Sequence, residues 1–339
     1  MDASTEARYD TGSKFYDLPN DVLLCVFSKS NLKDLLNFKK ACRKFYKLID
    51  DNYIRMSKTV AFEMSITRSP LDDDKISFDL DVCYVSHNKN NRSSNGKYFK
   101  RGIKGEEEFS KTLKIFVTKS LYRLVVRNCD NINVFNVLHK HYQQESSIEI
   151  LYIDKLGEND IQPFQQFVNQ LENVKMLEVL QIFSSIEACK TKPSLIFPSL
   201  TSLECVNLTE CQETNFLNHK LIVELFENNP NIRDLRLSSK NIHFMESVLV
   251  WFFFRQQLTT SRTCNHNKIS LCLDNISTYK EKLIRTLDTT IRYLRGILGY
   301  EILTTFKGHT KYEIVKKCFH CNEKSIDIHV TLINSTTKL

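Results

Sequence analysis

The residues best suited to chemistry are Cys318 and Cys321, which stand two residues apart in the sequence CFHC. Two thiolates at this spacing can supply one side of a zinc site, but a structural zinc ion needs four ligands. The candidates for the other two ligands, Cys264 and His266, lie far upstream and form neither a CxxC nor an HxxxH motif. We therefore predict no metal and no cofactor. A zinc site at Cys318 and Cys321 is a minor alternative.

Motifs that accompany catalysis are missing from the rest of the sequence. It contains neither GxSxG nor HExxH, and its eight glycines form no phosphate-binding GxGxxG or GxxxxGK[ST] loop. His139 and His141 are two residues apart on a predicted helix, so they do not share a face. Three consecutive glutamates at 106–108 are interpreted as a solvated turn. These features favour a non-catalytic protein.

Composition narrows the class of protein further. The chain has 339 residues, of which 42% are apolar, and this is enough for a folded core. Its net charge of +7 is spread along the sequence without the clustered basic and aromatic residues of a nucleic-acid surface, so nucleic-acid binding is disfavoured. Eleven cysteines without a secretory signal indicate reduced thiols. The most apolar run, 248–254, is shorter than the roughly 20 residues that span a membrane. We expect a soluble protein of the cytoplasm, the nucleus or both.

A small helical module is predicted near the N-terminus. The stretch LPNDVLLCVF at 18–27 has Pro19 and Asn20 at the start of a predicted helix, places Asp21 in the first helical turn and ends in six apolar residues. The next predicted helix has a basic outer face and an apolar face with three- and four-residue spacing. Its apolar positions are Leu35, Phe38, Cys42, Phe45 and Ile49. Two or three helices in so small a unit cannot bury this surface by themselves. The module must pack on the rest of the chain or dock onto a second protein.

The order and spacing of these residues resemble the F-box, whose pattern runs LP-x-[ED]-[IV]-L, then Phe, then a second helix ending in C-[RK]-x-[WF]. The matching positions are Leu18, Pro19, Asp21, Val22, Leu23, Phe27, Asp34, Leu35, Cys42, Arg43, Phe45 and Leu48. Ser30, Leu32 and Phe45 differ from the residues most common at their positions. The sequence is most similar to nematode-type F-box families.

This resemblance implies a partner. F-boxes dock onto a Skp-type adaptor, which joins them to a cullin scaffold and a ubiquitin-charged conjugating enzyme. The implied adaptor-binding residues are Leu18, Pro19, Asp21, Val22, Leu23, Val26, Phe27, Leu35 and Phe38. Which of them point outward cannot be predicted from the sequence. The basic helix face suits an acidic adaptor surface, because complementary charge speeds encounter and fixes orientation.

The remainder of the chain alternates strand-like segments with helix-like segments, among them 133–144, 161–171 and 219–229. Residues 75–85 alternate apolar and polar side chains as a half-buried strand does, and 86–97 is a predicted loop. Further along, the leucines and valine at 124, 151, 180, 206 and 235 recur at intervals of 27, 29, 26 and 29 residues, followed by Leu271 after 36. A strand–helix unit of this length is typical of leucine-rich repeats. The third unit can also be aligned on Leu177, and a non-repeating α/β domain is the alternative.

We therefore predict an α/β protein in which short F-box helices precede a curved, leucine-rich-repeat-like β/α solenoid. The predicted segments are a disordered lead-in at 1–14, the F-box at 15–56, a β-rich transition at 57–118 and the repeat region at 119–339. A final strand at 325–333 is predicted to cap the array, since repeat proteins need a covered end.

In such an array the residues between the buried strand positions lie on the concave face. A row of Arg, Asp, Tyr and Phe can anchor a protein partner and match its charge. The candidate substrate-binding residues are Arg123, Arg127, Tyr152, Asp154, Phe183, Asn207, Asp234 and Arg236. The predicted function is that of a non-catalytic substrate-recognition subunit in a Skp–cullin–F-box ubiquitin ligase. An interaction scaffold without a ligase role is the main alternative, and the sequence does not identify the target protein.

Overall fold

The computed structural model describes most of the chain. The residues it describes are 15, 17–30, 32–52, 59–69, 77–85, 97–129, 133–142, 146–183, 195–197, 200–211, 216–258, 267–274, 279–298, 301–305, 310–317 and 324–333. The predicted lead-in at 1–14, most of the predicted loop at 86–97 and the four candidate zinc ligands lie outside them.

Helices and strands alternate along most of the described chain. The helices are α1 (Asn20–Lys29), α2 (Leu32–Ala41), α3 (Arg43–Asp51), α4 (Gly105–Leu113), α5 (Val134–His141), α6 (Glu158–Val168), α7 (His219–Asn228), α8 (Ile242–Leu258) and α9 (Lys280–Leu298). The strands are β1 (Thr59–Arg68), β2 (Ser77–Val85), β3 (Lys97–Lys104), β4 (Phe116–Val117), β5 (Ser120–Arg127), β6 (Ser146–Gly157), β7 (Leu171–Phe183), β8 (Cys205–Glu210), β9 (Asp234–Ser238), β10 (Asn267–Asp274), β11 (Glu301–Thr305), β12 (Thr310–Lys317) and β13 (Lys324–Leu332).

The described strands form one curved, open sheet in the order β11-β12-β13-β10-β9-β8-β7-β6-β5-β1-β2-β3, with β4 beside β1. Its central strands are parallel, and β5 also pairs in parallel with β1. Antiparallel pairs, β1–β2–β3 and β11–β12–β13, extend it on both sides. The predicted α/β fold class is confirmed.

Parallel pairing aligns one apolar residue from each central strand into a buried ladder across the sheet. The ladder consists of Leu124, Leu151, Leu177, Val206, Leu235, Leu271 and Val330, each at most 1% exposed. Alignment of the third unit on Leu180 is therefore wrong, because Leu177 pairs with both Leu151 and Val206. Burial of each such leucine side chain stabilises the folded protein by about 1.5–3 kcal/mol relative to leaving the side chain exposed.

The helices between the strands cover this buried face through their apolar residues. The predicted helices at 133–144, 161–171 and 219–229 correspond to α5, α6 and α7. Phe135 of α5 contacts Phe164 of α6 at a ring-centroid distance of 5.1 Å, and Phe226 of α7 lies 6.2 Å from Phe252 of α8. Neighbouring helices thus pack on one another as well as on the sheet. Within the described residues, no helix has the length and apolarity needed to cross a membrane.

Three local predictions are corrected. The single helix predicted through Cys42 is two helices, because Cys42 adopts an extended backbone (φ −163°, ψ 162°) and separates α2 from α3. The glutamates at 106–108 form the first turn of α4 instead of a solvated turn. The predicted final strand, β13, covers the edge of β10 but does not end the sheet, since β12 and β11 follow it in the described sheet.

Candidate protein-docking surfaces

The three N-terminal helices enclose a small apolar core. Leu23 and Phe27 of α1 are fully buried, and Leu35 of α2 is 2% exposed. The ring of Phe27 contacts those of Phe38 and Phe45, at centroid distances of 5.1 Å and 5.4 Å. Three of the predicted adaptor-binding residues are therefore buried in this core and are not exposed on the surface of the module. They are Leu23, Phe27 and Leu35.

A different side of α1, about 100° around the helix from Leu23 and Phe27, carries an exposed apolar strip. Val22 is 44% exposed and Val26 is 36% exposed, although both are aliphatic. Pro19 and Cys25 are exposed as well, and their three-residue spacing from Val22 places them on the same side of the helix. We call Pro19, Val22, Cys25 and Val26 the α1 strip.

The other predicted adaptor-binding residues border the α1 strip or the small core. Asp21 is exposed in the first turn of α1, where a negative charge is favourable, and Leu18 is half-buried just before the helix. Phe38 is also half-buried, and its ring stacks on that of Phe15 at 6.0 Å. An approaching partner therefore meets the α1 strip and Asp21 first.

Polar contacts cap the F-box helices, and one of them joins α3 to a residue that precedes α1. The Cys42 Sγ accepts a hydrogen bond from the Phe45 backbone N–H at 3.4 Å and so caps α3, which explains the Cys in the C-[RK]-x-[WF] pattern. Lys44 Nζ donates to the Leu18 carbonyl at 3.3 Å. Ser30, which differs from the common pattern, ends α1 and donates to the Val26 carbonyl at 2.9 Å.

A second candidate surface is the face of the sheet opposite the buried ladder, which we call the open face. Side chains of alternate strand residues point to opposite faces. On the open face, the register aligns Tyr152 of β6, Glu178 of β7, Asn207 of β8 and Arg236 of β9 in one row. Each of these side chains is exposed or half-buried. The row can therefore meet a macromolecule that spans several strands.

The charges of the open face vary across the sheet. The Arg127 guanidinium lies 5.9 Å from the Tyr152 ring centroid, within the range of a cation–π contact. Further along the sheet, at β9 and β10, Arg236 Nε donates to Asp274 Oδ2 at 2.7 Å, and this hydrogen bond raises the pKa of Arg236. Burial, followed by the charge of Asp154, raises the pKa of Tyr152. The tyrosine is therefore neutral and able to donate a hydrogen bond at physiological pH.

The candidate substrate-binding residues are distributed over this face. Arg123, Arg127, Tyr152, Asp154, Asn207, Asp234 and Arg236 come from β5, β6, β8 and β9. Phe183 is apart from them, at the end of β7 beside Gly157. Glu178 and Met176, which the register places between the β6 and β8 residues, were not among the predicted residues. Alignment of the third unit on Leu177 would have found both.

Among the described residues, no group of three or more His, Cys, Asp or Glu side chains is placed to hold a metal ion. The pair Cys318 and Cys321 lies outside these residues.

Comparison with known families identifies the N-terminal module. Residues 15–56 match the family model of the F-box domain. This segment contains α1, α2 and α3, so the chain carries an F-box domain on which the α1 strip is exposed. F-box domains typically bind Skp-type adaptors, and proteins that contain them are generally non-catalytic. None of the curated proteins compared with the chain matches its sequence.

Proposed function

We propose that this protein is the substrate-recognition subunit of a Skp–cullin–F-box ubiquitin ligase. The observation that carries the proposal is the F-box domain at 15–56 with its exposed α1 strip. An apolar strip on a rigid helix is suited to burial against a partner, because exposed valines gain from removal of their surface from water. The adaptor would cover Pro19, Val22 and Val26, and it would bring the cullin scaffold with it.

The open face is the proposed site for the target protein. It offers tyrosine, arginine and carboxylate side chains in register, and such residues commonly dominate the energy of protein interfaces. The residues proposed to contact the target protein are Arg127, Tyr152, Glu178, Asn207 and Arg236.

The repeat character of the sheet supports the same assignment. Five consecutive units bury the first, fourth and sixth residues of an LxxLxL pattern, for example Val174, Leu177 and Val179. Corrected to Leu177, the intervals between units are 27, 26, 29 and 29 residues, within or at the upper limit of leucine-rich repeats. We assign the sheet to a leucine-rich-repeat-like receptor and the chain to the nematode-type F-box families as part of the proposal.

The mechanism in this proposal is proximity. The chain holds a target protein near the charged conjugating enzyme and thereby raises the effective concentration of the target's lysines. Ubiquitin transfer takes place on the partner proteins, and no group of this chain reacts. We place the complex in the cytoplasm, the nucleus or both.

The test is reconstitution of the complex from purified components. We expect the full-length chain to elute from a sizing column together with a Skp-type adaptor and cullin. Tyr152→Ala with Arg236→Ala should leave this complex intact and remove the proteins that the wild-type complex captures from an extract. A chain that never retains the adaptor would instead support a scaffold without a ligase role.

A further inference from the structure

A groove of about 700 Å³ lies between the F-box helices and the edge of the sheet. The F-box contributes residues of α2 and α3, including Lys39, Lys40 and Tyr46, and the other wall comes from β3 and α4. Phe99 of β3 adds a half-buried aromatic ring to this second wall. The groove is therefore built by both parts of the chain, and it is distinct from the α1 strip and the open face.

The groove carries more positive than negative charge. Its carboxylates belong to Asp50, Glu107 and Glu108, and each of them pairs with a lysine or arginine that also lines the groove. Lys39 Nζ lies 2.8 Å from Asp50 Oδ1, and Lys111 Nζ lies 2.8 Å from Glu107 Oε1. The third carboxylate, that of Glu108, pairs with Arg101.

Three further lysines of the groove remain after these pairs are formed. Lys40 and Lys104 are exposed, and neither ammonium group has an ion-pair partner within the part of the chain that the structure describes. Lys100 lies 3.8 Å from Asp81, but its side chain is 74% exposed, so water weakens this pair. The groove thus presents three cations without strong partners beside an aromatic and aliphatic wall.

From this arrangement we infer that the groove binds an acidic peptide segment of the target protein. A segment with a few carboxylates spaced by apolar residues matches the three lysines and the rings of Tyr46 and Phe99. Most of the lining comes from β3 and α4, outside the F-box domain. We therefore assign the occupant to the target and not to the adaptor, and this assignment rests on the proposed function.

The acidic side chains of the groove favour a peptide over a nucleic acid. A nucleic-acid backbone carries a negative charge at every phosphate. Such a chain would meet the carboxylates of Asp50, Glu107 and Glu108 as well as the lysines. A peptide can leave apolar residues opposite these paired carboxylates and place its own charges at Lys40, Lys100 and Lys104.

The test measures binding of labelled peptides to the full-length chain in complex with its adaptor, or to the full-length chain alone if no adaptor is retained. The probe is a fluorescein-labelled peptide of alternating Asp and Leu, and the matched peptide has Asn in place of Asp. Lys40→Glu with Lys104→Glu should weaken binding of the Asp-Leu peptide about tenfold or more, because attraction becomes repulsion at two contacts. The control, Lys119→Glu with Lys240→Glu, makes the same charge change at exposed positions outside the groove.

Binding of the Asp-Leu peptide that weakens with salt, is lost in the groove variant and persists in the control would support the inference. It is overturned if the wild type does not bind the peptide, if the Asn-Leu peptide binds equally well, or if both variants lose affinity alike. A single-stranded oligonucleotide that binds the groove more tightly than the peptide would also overturn it. Adaptor retention, measured separately, shows whether the proposed ligase role has failed on its own.

Discussion

The exposed fractions of single side chains separate two groups of apolar residues on α1. Leu23 and Phe27 are fully buried, whereas Val22 and Val26 are among the exposed large apolar residues of the described chain. A substitution in the first group tests the stability of the F-box. A substitution in the second group tests docking, because those side chains are exposed and lie outside the buried core of the described residues.

Alkylation of cysteines is predicted to separate exposed from buried thiols. Cys25 lies exposed on the α1 strip, whereas burial and, secondarily, the charge of Asp274 raise the pKa of Cys272 to about 12. Since the thiolate is the reactive form, Cys25 should react with iodoacetamide at pH 8 at least about tenfold faster than Cys272. Peptide mass spectrometry measures both rates in one sample.

The same reaction tests whether an adaptor covers the α1 strip. Addition of a Skp-type adaptor should slow the alkylation of Cys25 and leave that of Cys83, a half-buried thiol of β2, unchanged. Equal rates at Cys25 with and without bound adaptor would show that the adaptor docks elsewhere.

At the scale of elements, the sequence predicted the kinds of structure better than their register. The helices α5, α6 and α7 follow from apolar residues at helical spacing. Leu177 and Leu180, however, are both leucines three residues apart, and either fits the repeat pattern. Pairing with Leu151 and Val206 selects Leu177, and this long-range contact is absent from the local sequence.

The break between α2 and α3 was not predicted either, because the local pattern of apolar residues does not show it. The apolar positions Leu35, Phe38, Phe45 and Ile49 keep a helical spacing across Cys42, so the pattern indicated one helix. The capping hydrogen bond of the Cys42 thiol decides otherwise. The division of α1 into a buried and an exposed side was not predictable either, because the six apolar residues Val22–Phe27 give the helix apolar side chains on every side.

A buried carboxylate at the end of β8 is predicted to stabilise the segments that follow β8 and β9. Glu210 is fully buried and accepts hydrogen bonds from the Phe216 backbone N–H at 2.8 Å and from Ser239 Oγ at 2.6 Å. Glu210→Ala leaves both donors buried without this acceptor and should lower the free energy of unfolding by about 2–4 kcal/mol. Urea denaturation measures the change.

The matched control for this prediction is Glu227→Ala on the exposed side of α7. It should change the free energy of unfolding by less than about 0.5 kcal/mol. Similar losses for the two substitutions would mean that the Glu210 hydrogen bonds contribute nothing beyond an ordinary surface glutamate.

At the scale of the whole molecule, the C-terminal strand β13 is predicted to protect the edge of β10. Residues Leu271 and Leu273 of β10 pair with Val330 and Leu332 of β13, and all four are fully buried. A chain that ends after Leu298 would expose this edge and its apolar side chains. We expect such a chain to aggregate, because an unpaired apolar strand edge is a template for association.

Light scattering of the truncated chain measures this effect. A chain that ends after Ile333 retains β13, and it should remain monodisperse and melt as the full-length chain does. If the chain that ends after Leu298 were equally soluble and equally stable, β13 would not be the element that protects β10.

The groove beside β3 and the α1 strip are two separate candidate binding surfaces on the same chain. Residues of α2 and α3 line the groove together with residues of α4 and of β3, the edge strand of the described sheet, so one chain presents two separate surfaces proposed for an adaptor and a target. A receptor needs both surfaces on one rigid body, since proximity works only when adaptor and target are held together.

The most direct test of this account is the affinity of the full-length chain for a Skp-type adaptor, measured by calorimetry. Val22→Asp with Val26→Asp places charges in the α1 strip without entering the core, and it should weaken binding by roughly a hundredfold. The control, Tyr98→Asp with Tyr293→Asp, changes two exposed aromatic residues outside the F-box and should bind as the wild type does. Undiminished binding by the Val22 and Val26 variant, or no binding by the wild type, would contradict the account.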